Sequence, residues 1–296
     1  MSDADARDLL IEIGAEELPP KALSSLALAF EQGIQLGLEK AGLPGNNLRR
    51  FATPRRLAVL VEHLPIRQPD RRMERRGPAV SAAFGPDGKP SKAAEGFARS
   101  CGVAVSDLQR QETDKGAWLV HMSLEPGAPT ADLIPGIVVS ALAGLPIPKR
   151  MRWGDRDDEF VRPVHWAVLL FGNEVIPATI LGVQTDRLTY GHRFHCPQPI
   201  RLTAPADYAW QLAEQGKVIA DFSERRAVVR AQVEATAAEL GGVAVIQPEL
   251  LDEVTALVEW PVALAGNFER RFLAVPAEAL ISTMQDHQRY FPVVDG

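Results

Sequence analysis

The run Val164-His165-Trp166-Ala167-Val168-Leu169-Leu170-Phe171 constrains this chain more than any other feature. It is too continuously apolar for a strand with one wet face and too short to cross a bilayer, so it reads as a strand buried on both sides. The residues leading into it are highly charged. Lys149, Arg150 and Arg152 precede Trp153-Gly154, and Asp155, Asp157, Asp158 and Glu159 follow, broken by Arg156. A polar loop held at the mouth of a rigid strand is a common place for binding residues. The alternative, left open by composition, is that these cations and carboxylates pair with one another in solvent.

The rest of the pattern is α+β, with mixed sheets and packed helices. Asp8–Gly14 reads as a strand. Pro19-Pro20 then suits a helix start, and Leu23, Leu26, Phe30, Ile34 and Leu38 mark one buried helical face up to Gly42. Leu57–Glu62 is a second strand. Gly77–Pro90 reads as a loop, Ser91 caps a short helix through Arg99, and Ser106–Arg110 forms a helical turn. Ala117–Met122 is a strand and Thr130–Leu145 a helix. Strands are expected at Val175–Leu181, Arg187–Arg193 and Lys217–Ala220, and a helix at Pro205–Gln215. Asp221–Leu240 is the clearest long helix, with Asp221 and Glu224 as a capping box and Gly241-Gly242 as its stop. Its Arg225, Arg226 and Arg230 are expected on a solvated face. Tyr290–Val294 begins a strand that ends at the turn signal Asp295-Gly296, so the chain is expected to be truncated. Three parts are expected: 1–76, 77–200 and 201–296.

Between Arg49 and Arg76 nine arginines stand against three carboxylates, a local excess of six positive charges in a chain of net charge -6. Such a segment suits a phosphate backbone. Its rival is a set of intramolecular ion pairs. Two cysteines, Cys101 and Cys196, fit neither a disulfide scaffold nor a zinc ribbon. The acidic N-terminus is no signal peptide, and no apolar run approaches the roughly 20 residues of a membrane span, so a cytoplasmic protein is expected.

Phosphate-cradling glycine loops and nucleophile elbows do not occur in the sequence. His192-x-x-His195-Cys196 lacks the second ligand pair that structural zinc requires. The acidic cluster at 155–159 has magnesium-type ligands, but adjacent arginines compete for them. No metal site is assigned. Trp166 belongs to the core, whereas Trp153, between cations and a glycine, is the tryptophan best placed to stack on a base or partner, the alternative being that it packs against its own loop.

Six segments taken together carry a resemblance: LLIEIGAEELPP (9–20), FATPRRLAVL (51–60), KRMRWG (149–154), FVRPVHWAVLLFG (160–172), YGHRFHCP (190–197) and MQDHQRYFPV (284–293). In this order they resemble the β subunit of bacterial tetrameric glycyl-tRNA synthetase. The resemblance implies an α2β2 assembly joining glycine to its tRNA, with ATP and Mg²⁺ on the α subunit and none in this chain. It implies tRNA and the α subunit as partners, no membrane, and a longer β subunit with HD-like and anticodon-binding domains. It also implies a likeness to the B3/B4 region of the phenylalanyl synthetase β subunit, beside a smaller α/β part. No catalytic residue is carried over. Charge and motif position make Arg49, Arg50, Arg55, Arg56, Lys149, Arg150, Arg152, Trp153, His192 and Arg193 the candidate tRNA contacts. A purely structural scaffold for the α subunit and a B3/B4-type editing hydrolase are the alternative readings.

Overall fold

The computed structural model describes residues 6–85, 88–114 and 116–295. In chain order the elements are β1 Ala6–Ala15, α1 Pro20–Lys40, β2 Asn46–Thr53, β3 Arg56–Pro65, β4 Arg71–Ala79, α2 Val80–Ala83, α3 Lys92–Cys101, β5 Gln109–Thr113, β6 Gly116–Glu125, α4 Thr130–Ala143, β7 Met151–Arg152 and β8 Glu159–Phe160. There follow β9 Val164–Phe171, β10 Glu174–Val175, β11 Thr179–Ile180, β12 Val183–Asp186, β13 Leu188–Tyr190, β14 Pro199–Arg201, α5 Tyr208–Glu214, α6 Phe222–Glu239, β15 Gly242–Ala244, α7 Pro248–Thr255, α8 Ala277–Gln288 and β16 Val293–Asp295. The mixed α+β class expected from the sequence is the observed one.

The apolar run is β9. It lies inside a seven-stranded sheet of order β11-β12-β9-β1-β3-β2, with β10 also on β9. β1 is antiparallel to both β3 and β9, placing Gly14 opposite Trp166 and Arg56. Both faces are covered, which is why β1, β3 and β9 are apolar almost throughout. Leu9, Ile11 and Ile13 of β1 join Val59, Val61 and Leu169 on one face. They pack against Leu23, Leu26, Phe30 and Ile34 of α1 and Ile134 and Val138 of α4. On the other face Leu10, Ala58, Leu60, Trp166, Val168 and Leu170 meet Tyr208 and Leu212 of α5, with Leu202 and Val218.

The chain divides into two compact units, residues 1–66 with 130–296 and residues 67–129. The boundaries expected at 76/77 and 200/201 do not coincide with this division. The basic segment 49–76 is split by it. In residues 67–129, β4, β6 and β5 form a three-stranded sheet, with Leu119 of β6 packed on Ala94 and Ala98 of α3. Ser91 caps α3 as expected, its hydroxyl accepting from the Ala94 N–H.

Several expectations are corrected. The expected loop 77–90 opens with the end of β4 and α2. β2, unassigned in the sequence, pairs along β3 from Asn46 to Thr53. The single strand expected at Val175–Leu181 is two short ones, β10 and β11, and Lys217–Ala220 belongs to no strand. The strand expected from Tyr290 is present as the shorter β16, which pairs with β15. Arg225 is not on a solvated face. It is fully buried and donates to the carbonyls of Ala52 (2.7 Å) and Thr255 (3.1 Å). Burial lowers its pKa to about 10.

Asp221 starts α6 as expected, its carboxylate accepting from the N–H groups of Ser223 (2.8 Å) and Glu224 (3.1 Å). Asp221→Ala is expected to lower the unfolding free energy by about 1 kcal/mol. In urea the midpoint should shift with the slope unchanged; an unshifted midpoint would show that the cap contributes nothing.

Candidate functional site

Four of the six motif segments meet at one end of the central sheet. Strand alternation explains how. Arg56, Ala58 and Leu60 share a face of β3, and Leu10, Glu12 and Gly14 share a face of β1. Both sets point into the layer beneath α5, so a carboxylate and a guanidinium enter the core together. Arg56 and Glu12 are fully buried, and Glu259, in the segment after α7, is nearly so.

Arg56 lies between the two carboxylates. Its Nη1 is 3.5 Å from Glu12 Oε1 and its Nη2 3.3 Å from Glu259 Oε1. It also donates to the Tyr190 carbonyl (2.7 Å), the Thr189 hydroxyl (3.4 Å) and the Thr53 hydroxyl (3.2 Å). Glu12 Oε1 accepts from Trp166 Nε1 (2.7 Å) and Thr189 Oγ1 (2.8 Å). The Thr53 hydroxyl donates to Glu259 at 2.7 Å. Burial opposes the charge of Arg56, but Glu259 and Glu12 outweigh it and raise its pKa. For Glu12 burial wins: its pKa is raised despite Arg56 and the hydrogen bonds from Trp166 and Thr189. Two carboxylates share one guanidinium, and the less well matched of them carries the strain of burial.

A more exposed rim surrounds this node. Half-buried Arg55 sits 5.5 Å from the Trp166 ring centroid. Glu16 bonds His165 (2.9 Å) through one oxygen and Arg193 (2.7 Å) through the other. The hydrogen bond from Arg193 holds the Glu16 carboxyl low, and the same contact raises Arg193. His192 accepts through Nδ1 from the N–H groups of Phe194 and His195, both at 3.3 Å. Its ring is 4.4 Å from that of His195. Burial lowers its pKa, with Glu259 opposing. The His192 N–H donates to the Gly216 carbonyl at 2.7 Å. A Cβ on Gly191 would lie 2.6 Å from that same oxygen, so glycine is required for the approach.

The ten candidate residues therefore separate. Arg55, Arg56, His192 and Arg193 come together. Arg56 is the main correction: fully enclosed, it cannot reach a phosphate backbone and instead ties the sheet to the 190 and 259 segments. Arg49 and Arg50 lie on edge strand β2, lining a cleft of about 480 Å³ with Glu31, Asp221, Arg226 and Asp252. Arg50 pairs with Glu31 at 2.7 Å, and Arg49 lies over Phe51. Lys149, Arg150, Arg152 and Trp153 form a third location, at the β7–β8 ribbon. Arg150 donates to the Ala143 carbonyl at the end of α4 (2.9 Å). Arg152 pairs with Asp157 (3.3 Å) and Glu159 (3.0 Å), so part of the acidic cluster balances its neighbours. Trp153 is half-buried and packs on the main core, which leaves its ring poorly placed to stack on a base. Lys149 is exposed. The MQDHQRYFPV segment is apart from all of these, with Arg289 paired to Glu253 at 2.8 Å. Among the described residues no group of three His, Cys, Asp or Glu is placed to hold a metal, and no helix is long and apolar enough to cross a membrane.

Glu12, Glu16, Thr53, His165, Thr189 and Glu259 complete the site and escaped the sequence reading. A signal existed for Glu12, a lone carboxylate inside the apolar run of β1. Glu259, in an irregular segment, carries none.

The covered sheet, buried ionic node and cation-bearing rim define a mixed α+β module whose buried polar groups tie its segments together. The sequence profile of the family described as glycyl-tRNA synthetase beta subunit matches residues 9–296. The glycine–tRNA ligase beta subunit of Hahella chejuensis is 59% identical over 98% of this chain and 42% of its own length. That of Marinobacter nauticus is 56% identical over the same shares. That of Edwardsiella ictaluri is 54% identical over 97% of this chain and 42% of its own. The chain belongs to the glycyl-tRNA synthetase beta subunit family and spans about two fifths of the length of these relatives.

Proposed function

We propose that this chain acts in glycyl-tRNA synthesis as part of a β subunit, meeting tRNA and a catalytic α subunit in an α2β2 ligase. The observation that carries the reading is the family match over residues 9–296. ATP and Mg²⁺ are assigned to the α partner. The α+β build, with its sheet covered on both faces, is compatible with a B3/B4-like module, and that likeness is part of the proposal. The place of action is the cytoplasm.

The scaffold reading has a specific observation in its favour. Arg50, Arg56, Arg152 and Arg193 are each engaged by carboxylates of the chain itself, so their charge is largely spent internally. The nine arginines of the basic segment would, if all free, neutralise about six phosphates and give a log–log salt slope of roughly −4 to −5. Taking out Arg56 and Arg50 reduces the expected slope to roughly −3.

The test is a salt titration of this chain with glycine tRNA and a non-cognate tRNA, beside co-elution with the α subunit. Binding that weakens with that slope is the expected result. Co-elution with α but indifference to tRNA at low salt would replace the tRNA role with the scaffold one.

A further inference from the structure

We propose that the RNA-contacting surface of this chain is the β4 face of the three-stranded sheet in residues 67–129, with Arg72 and Arg76 as phosphate contacts. This rests on the reading that the chain meets tRNA, and it moves the contact away from the motif arginines.

The first observation is the distribution of charge. Residues 67–129 hold ten Lys and Arg against eight Asp and Glu, a net of +2. The remainder holds twenty-two against thirty, a net of −8. The only net-positive unit of an acidic chain is therefore the small one. A polyanion is drawn to local field rather than total charge.

The second observation is how the arginines are engaged. In the larger unit Arg50, Arg193, Arg226 and Arg289 each hold a carboxylate, and exposed Arg49, Arg201 and Arg270, without an ion pair among the described residues, stand on separate elements. Arg71, Arg72 and Arg76 on β4 are exposed and have no ion pair among the described residues. Exposed, unpaired guanidinium groups at strand spacing are the arrangement that neutralising a phosphate backbone requires.

The third is which face carries them. In antiparallel pairs, residues opposite each other share a face. Arg72 is opposite Leu124, Glu74 opposite Met122 and Arg76 opposite Val120. Leu119, on the opposite face, packs on α3, and Arg75, on that face too, donates to the Ser100 carbonyl. The Arg72–Arg76 face therefore points away from the helices. Its one carboxylate, Glu74, accepts a hydrogen bond from Gln111 at 3.2 Å. The Arg76 guanidinium lies 3.9 Å from the Trp118 ring centroid. That cation–π contact holds the guanidinium over the ring, and its N–H donors have no carboxylate partner among the described residues. Met122 and Leu124, both exposed, offer apolar surface beside the two cations for ribose or base.

The experiment measures binding of the 296-residue chain to a glycine tRNA transcript across a salt series. Arg72→Glu, whose side chain makes no contact that folding needs, and the double variant Arg72→Glu/Arg76→Glu are compared with Arg72→Lys/Arg76→Lys. Arg230→Glu/Arg271→Glu, on the larger unit, changes the net charge equally. Near-ultraviolet circular dichroism reports that each variant is folded. The expected result is a loss of at least tenfold for the double reversal, a salt slope shallower by about two, a smaller loss for Arg72→Glu alone, and near-native binding for the lysine variant and the control. Wild-type affinity in a folded Arg72→Glu variant, or equal losses in the control, would overturn this surface while leaving tRNA binding by the chain intact. No binding by the unaltered chain at low salt would overturn both.

Discussion

Replacing Arg56 with methionine should destabilise the protein by about 3–5 kcal/mol, because the change leaves Glu12 and Glu259 buried without their cation. The guanidinium also holds the Tyr190 carbonyl and the Thr53 and Thr189 hydroxyls, so several partners lose a donor at once. Denaturant unfolding measures the cost. The triple change that also converts Glu12 and Glu259 to glutamine should recover much of it, since neutral amides bury more cheaply than carboxylates. A cost below about 1 kcal/mol, the range of exposed pairs, would mean that the node does not hold the fold. The loss should also depend on pH. Glu12 already has a raised pKa in the folded protein, so its protonated form is the one folding favours. That contribution is complete below its ordinary value of 4.5 and is lost as pH rises through the raised one. Without Arg56 the pKa rises further, and the deficit of the variant should shrink on acidification. Glu16 has the opposite sign. Held low by Arg193, it favours folding above 4.5 and loses that contribution as pH falls through its depressed value, a small effect because the pair is about two-fifths exposed.

Gly14→Ala is expected to be comparably damaging, at about 2.5–6 kcal/mol. A Cβ there would lie 1.9 Å from the Trp166 ring, and both residues sit on paired central strands that cannot separate locally. The indole would have to turn, losing its hydrogen bond to buried Glu12. Overpacking of about 1–3 kcal/mol then adds to the loss of a hydrogen bond to a charged group, worth about 1.5–3 kcal/mol. The readouts are the unfolding midpoint and the near-ultraviolet signal of Trp166. A variant with native stability and an unchanged tryptophan signal would show that the ring has room to move.

These two residues also indicate what was legible. Gly14 and Glu12 interrupt an apolar strand, and Arg56 opens another. Alternation alone places Arg56 with Ala58 and Leu60, on a face that has to be buried if β9 is a core strand. The charge of Arg56 and its place in a loop-to-strand motif point instead to the surface, where a guanidinium could reach a phosphate. Arg225 misled in the same way, because an arginine among Arg226 and Arg230 looks like part of a wet helix face. Only the packing of the 52, 219 and 255 carbonyls around it shows otherwise. For Trp153, whose sequence neighbours are charged, stacking on a partner and packing within the protein are both open in the sequence, and its apolar spatial neighbours decide for packing.

The sequence by itself determined the class of fold, the main helices and strands, and the capping of α3 and α6. These follow from periodicity and from local hydrogen bonds, which act within a few residues and can be read along the chain. It also marked four of the segments that meet at the charged node. The tertiary structure alone decided that they meet, that Glu259 joins them from an irregular segment, and that the basic stretch 49–76 is divided between two units. It also decided which arginines are free. Whether a guanidinium is buried, paired or exposed depends on which carboxylates and apolar surfaces distant parts of the chain bring to it, and residue order does not encode that directly.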